Sequence, residues 1–167
     1  MLTTVVTAGL ATLLGAIVSG RFQERAAERQ VRATHGEAIR RDRLEAVTAL
    51  ACATSDHRRA MWMRGDAVLK GAGTERIEAL RGESHMTRSA VTRPLVALRV
   101  LIEDQAVRAA ADRMITLTYA IRDAYTTTEE LTAAREAAKT AHDDFVNAAA
   151  RYLRPTSSRP VEQESPR

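Results

Sequence analysis

The sequence predicts an all-α protein with an N-terminal transmembrane helix, a helical stalk and an antiparallel up-and-down four-helix bundle. Three observations point there. Four prolines and eight glycines in 167 residues leave long stretches without a helix breaker. Nowhere do valine, isoleucine and threonine alternate with polar residues as a half-buried strand requires. Apolar residues return instead at intervals of three and four, the spacing that lines one face of a helix.

The opening segment, residues 1–20, contains no charged side chain, whereas Arg21, Arg25, Arg29 and Arg32 follow directly. A helix of that length extends about 30 Å, the thickness of a bilayer's hydrocarbon core. Leu2, Val5, Val6, Leu10, Leu13, Leu14, Ile17 and Val18 favour insertion by roughly 2–5 kcal/mol together, a thin margin once the threonines and glycines subtract. The reading is a membrane anchor, with the arginines held on the cytoplasmic side. Two alternatives stand beside it. A cleaved signal peptide could be cut after Val18 and Gly20, but no basic segment precedes the apolar stretch. A buried first helix of a soluble all-helical protein suits a segment this rich in small residues. Ala8, Ala11, Gly15 and Ser19 form a strip of small side chains that permits close helix contact, hence self-association and a homodimer.

Residues 21–36 read as a basic juxtamembrane stalk. Arg25 with Glu28 and Glu28 with Arg32 sit at helical pair spacing, so the segment can stay helical in water. Gly36 is the expected hinge. Residues 37–153 then supply the bundle. Its first helix runs from Glu37 to Lys70, with Leu44, Val47, Ala51, Thr54, Met61 and Val68 on one face, and Gly71 and Gly73 ending it. Thr74 is placed to cap the second helix, whose inner side is Ile77, Leu80, Ser84, Val91, Leu95, Leu98 and Ile102. Pro94 demands a kink or break there. Asp104 starts the third helix, with Val107, Ala110, Met114, Leu117, Ile121 and Ala124 along it. After the threonine turn, Thr127 and Glu130 have capping-box spacing. The fourth helix repeats every seven residues through Leu131, Ala138, Phe145 and Tyr152. Residues 154–167 are too polar to pack and read as a disordered tail.

Charge divides unevenly. Arg21 to Arg64 holds ten basic and six acidic residues, and Asp104 to Ala150 five basic and eight acidic. Arg21, Arg25, Arg29, Arg32, Arg40, Arg41 and Arg43 are therefore candidates for contact with lipid headgroups or phosphates. Arginine outnumbers lysine 23 to 2, a bias that a GC-rich coding sequence also produces.

Catalytic groupings are missing from the pattern. His35, His57, His85 and His142 are too far apart for metal-ligand spacing, so no metal or cofactor is expected. Cys52 and His57 are five residues apart and point to different sides of one helix, which makes Cys52 a buried structural thiol and fits a reducing compartment. Met61, Trp62 and Met63 gather the large soft side chains: core packing between the first helix and its neighbours is the main reading, and an exposed patch for a partner helix is the alternative.

The segment SAVTRPLVALRVLIEDQAVRAAAD, Ser89 to Asp112, resembles one found in uncharacterised small single-pass membrane-anchored helical proteins of high-GC actinobacteria. That resemblance implies a bacterial inner-membrane setting, with the C-terminal domain cytoplasmic, and carries no activity or functional residue with it. The function expected is non-catalytic: a membrane-tethered helical scaffold that binds a protein partner. A nucleic-acid tether using the basic first helix is the alternative, consistent with a pI near 9.8.

Overall fold

The computed structural model describes the backbone of residues 3–154 and the side chains of residues 28–154. Four helices follow one another: α1 (Thr3–Leu69), α2 (Thr74–Leu101), α3 (Gln105–Ala120) and α4 (Thr128–Leu153), with a short 3-10 turn at Ile121–Ala124 after α3. No strand occurs among the described residues. The chain divides into two compact units, Met1–Arg41 and Asp42–Arg167.

In the first unit α1 passes through Gly36 without interruption, so the expected hinge is not a helix end. One glycine costs a helix interior about 1 kcal/mol, too little to stop it. Residues 28–38 are exposed, and Arg32 pairs with Glu28 at 3.1 Å one turn away.

The membrane expectation is corrected. Among the described residues no helix is long and apolar enough to cross a membrane, which overturns the single-pass inner-membrane location with a cytoplasmic C-terminal domain. The uncharged stretch opens a 67-residue helix that continues through alternating arginine and glutamate, and the stretch itself is thinned by threonine, glycine and serine. The side chains of residues 1–27, including the strip of Ala8, Ala11, Gly15 and Ser19, lie outside the described residues, as do residues 155–167.

The second unit holds the core, and its turns follow from local chemistry. Gly71, at φ 66°, ends α1 in the left-handed region that glycine enters freely. The amide of Ala72 donates back to the Ala67 carbonyl at 2.9 Å, closing the terminus. Thr74 does not cap α2. Gly73 occupies the cap position without a side-chain bond, and Thr74 is already helical. Pro94 lies inside α2, which nonetheless runs unbroken to Leu101. Asp104 caps α3 as expected, its carboxylate accepting from the Val107 amide at 2.9 Å. The Thr127 hydroxyl accepts from the Glu130 amide at 3.1 Å, and the Glu130 carboxylate turns back to the Thr126 hydroxyl.

Contacts across helices fix their directions. Arg43 Nε donates to the Leu101 carbonyl at 2.9 Å, and His57 Nδ1 lies 3.0 Å from Thr87 Oγ1. Numbers therefore rise along α1 as they fall along α2. Arg99 with Asp112 and Arg88 with Tyr119 repeat that relation for α2 and α3. Arg43 with Tyr152 and Trp62 with Arg135 repeat it for α1 and α4. Short turns enforce these antiparallel neighbours.

One apolar cluster joins all four helices through Val47, Leu50, Val91, Leu98, Val107, Met114, Ala141 and Phe145. A second, smaller cluster of Met61, Ile121, Leu131 and Ala138 closes the end near the α1–α2 turn. Two residues assigned to the buried face of α1 are in fact open: Leu44 at 54% and Val68 at 37% exposure. Val47, Thr54 and Met61 of the expected row are buried, and Leu50 and His57 join them on the packed face.

Candidate functional site

Trp62 sits two turns before the C-terminal end of α1, flanked by buried Met61 and half-buried Met63. Successive helical residues are turned by 100°, so only Met61 of the three can face the core squarely. Trp62 lies at the edge, where α4 passes, and the Arg135 guanidinium stacks over its ring at 4.9 Å. The indole thereby forms one wall of an open groove of about 550 Å³, whose other walls include Ser55, Asp56, Arg58 and Arg59.

The groove is positive. Arg58, Arg59 and Arg135 line it against the single carboxylate of Asp56. Arg58 is half-buried: its Nη2 donates to Ser55 Oγ at 3.1 Å, while its Nη1 is buried with no partner among the described residues. Burial first, and then the charge of Arg135, pull its pKa below the ordinary guanidinium value, against a smaller opposing pull from Asp143 and Glu136. Two guanidiniums close enough to repel, one with a free donor, suit an anionic group laid between them.

The other candidates disperse. Arg29, Arg32, Arg40 and Arg41 are exposed on α1, and Arg32 is already paired with Glu28. Arg43 is turned inward, bonded to the Leu101 carbonyl and stacked over Tyr152 at 5.5 Å. The side chains of Arg21 and Arg25 lie outside the described residues. Cys52 is exposed, which corrects its assignment as a buried thiol. It follows core-facing Ala51 by one helical step and so turns away from the packed row. Among the described residues no group of three or more His, Cys, Asp or Glu side chains gathers as a metal site would require.

Sequence reasoning weighed His57 only as a metal ligand or a partner of Cys52 and missed its place in the core, where it is 2% exposed. Its ring meets Tyr119 edge-on at 5.2 Å and 84°, and burial together with Arg88 holds its pKa down at about 4. The signal was present, since His57 stands three residues after Thr54 and four before Met61 on the packed row. Tyr125 was also passed over. Its hydroxyl donates to the Met61 carbonyl at 2.7 Å, and burial pushes its pKa up to about 12.

No solved structure matches the chain. Protein KilB of Streptomyces lividans is 44% identical over 151 residues, covering 90% of this chain and 97% of the relative. The family described as KilB plasmid transfer protein matches residues 44–153, nearly the whole packed unit with the Trp62 groove in it, and on these two matches the chain belongs to the KilB plasmid transfer protein family.

Proposed function

We propose that the chain serves plasmid transfer without catalysis, as a helical protein that docks a partner protein in the Trp62 groove. One observation carries this reading. An aromatic wall, a thioether and three arginines line an open groove of about 550 Å³, one of whose guanidinium nitrogens has no partner. Such a surface accepts a segment that pairs a large apolar side chain with a carboxylate, because the ring supplies contact area and the arginines supply specificity. The family match contributes both the process and the non-enzymatic assignment.

The test uses the full chain in a host that carries the plasmid. A photo-crosslinking amino acid is placed at Met63 or Arg59, and transfer frequency is measured for Trp62→Ala and Arg135→Glu. The expected result is a discrete crosslinked protein that disappears in both variants, with transfer reduced at unchanged protein level. Full transfer by Trp62→Ala, with the same crosslink, would remove the groove from the function.

A second reading has its own observation: Arg29, Arg40 and Arg41 are exposed on one helix with no ion pair among the described residues. Contact with nucleic-acid phosphates through this row predicts retention of the chain on DNA that falls steeply with salt. Retention that is absent at low salt ends that reading.

A further inference from the structure

A second cavity, of about 110 Å³, lies on a different side of α1 from Trp62, between α1, α2 and the end of α3. Three elements each send one arginine to it: Arg64 from α1, Arg88 from α2 and Arg122 from the 3-10 turn. His57, Ser84, His85 and Tyr119 complete the polar lining, and no Asp or Glu is part of it. Cationic side chains of a folded protein ordinarily converge only around a counter-charge, because mutual repulsion and desolvation both oppose the gathering.

Two of these arginines, Arg64 and Arg88, are held by rings rather than by carboxylates. The Arg88 guanidinium lies 4.6 Å from the centre of the Tyr119 ring, and that of Arg64 lies 5.9 Å from the centre of Tyr125. Arg122 meets only its sequence neighbour Asp123, at 3.3 Å. The guanidiniums of Arg64 and Arg88 are thus set in place with no side-chain hydrogen bond or ion pair among the described residues. Arg64 Nε is buried and has no partner among the described residues. Buried N–H donors are nearly always satisfied, so this one marks a place where an acceptor belongs.

Size selects the ligand. The cavity is small, about 110 Å³, and a single tetrahedral oxyanion is a group of the size it accepts. Planar guanidiniums suit the oxygens of a phosphate, which accepts bidentate bonds from several sides. We propose that the cavity formed by Arg64, Arg88 and Arg122 binds a single phosphate group, either free phosphate or the terminal phosphomonoester of a larger molecule. The site is separate from the Trp62 groove and stands or falls apart from it.

The test is calorimetric titration of the full chain with inorganic phosphate, and in parallel with a short oligonucleotide carrying or lacking a 5′-phosphate. One saturable phosphate site is expected, weakened by roughly tenfold in Arg88→Gln and again in Arg122→Gln. Both side chains are exposed, so the variants are expected to keep the helical content and melting midpoint of the parent. Arg151→Gln, exposed on α4, is expected to bind as the parent does.

A second readout is the imidazole of His57 followed by NMR in sulfate, which remains doubly charged in acid. Arg64, Arg88, Arg122 and His85 face this ring as cations or potential cations. An anion among them favours the imidazolium, so the titration midpoint of His57 is expected to rise with sulfate in the parent and to rise less in Arg88→Gln. Binding that requires the 5′-phosphate on an oligonucleotide assigns the site to a nucleic-acid end; equal binding of inorganic phosphate assigns it to a small anion, and both support the proposal. Absence of saturable binding at millimolar phosphate, or equal affinity in the parent and both arginine variants, overturns it.

Discussion

Gly65 is a helix residue that helix propensity argues against and packing requires. Alanine in the interior of a helix is favoured over glycine by about 1 kcal/mol, so propensity alone makes Gly65→Ala stabilising. The surroundings reverse the sign. A Cβ added at Gly65 would lie 2.6 and 2.7 Å from two ring carbons of Tyr125 and 2.9 Å from a methyl of Leu131. Neither neighbour can yield easily. The Tyr125 ring is tethered by its hydroxyl to the Met61 carbonyl at 2.7 Å, and Leu131 is only 2% exposed within its cluster. Overpacking of this kind costs about 1–3 kcal/mol, and a displaced tyrosine weakens a hydrogen bond worth about 1 kcal/mol. Against the propensity gain, the balance is a loss of about 2 kcal/mol. For a chain of this length that lowers the thermal midpoint by roughly 4–8 °C, read by far-ultraviolet circular dichroism. In a Tyr125→Ala background the ring is gone, and Gly65→Ala is expected to lose much of its effect. A Gly65→Ala protein that melts at or above the parent temperature would refute this account of the α1–α4 contact.

Phe145→Ala empties the centre of the larger cluster, where the ring is 0% exposed, and is expected to lose about 3–5 kcal/mol in urea unfolding. Asp104→Ala removes the acceptor of the Val107 amide and is expected to lose about 1 kcal/mol, measured the same way. Thr118 buries a hydroxyl with no partner among the described residues, so Thr118→Val is expected to be neutral or stabilising in thermal melts. His57 titrates near 6.5 when unfolded and at about 4 when folded. In that window the unfolded chain takes up a proton that the folded chain refuses. Stability is thus fully present above pH 6.5 and lost progressively as the pH falls toward about 4. Urea midpoints over this range are expected to fall more steeply for the parent than for His57→Gln, and parallel slopes would contradict the assignment.

Much of the fold was legible because it is written locally. The seven-residue row of α4 is packed as its spacing demands, with Leu131, Ala138 and Phe145 buried and Tyr152 partly so. Asp104 and Thr127 cap their helices because a short acceptor side chain before a helical run has one favourable use. Other features were not legible. Leu44 and Val68 fit the apolar period and yet stand open, since a repeat gives the period of a face but not how far along the helix a partner covers it. Thr74 has the side chain of a cap, but the helix begins with it rather than after it. The expected membrane location failed as well, since no helix among the described residues is long and apolar enough to span a bilayer.

The sequence by itself determined that this chain is all-helical, where its turns fall and which rows of side chains seek cover, because hydrophobic period, capping and breakers act within a few residues. Only the tertiary structure decided the two positive cavities. Arg58 and Arg135, or Arg64, Arg88 and Arg122, are separated by dozens of residues and share no period. They meet because antiparallel packing brings α4 across Trp62 and sets α2 and the end of α3 beside His57. Electrostatic fields add in space, so their convergence is a property of the folded arrangement alone.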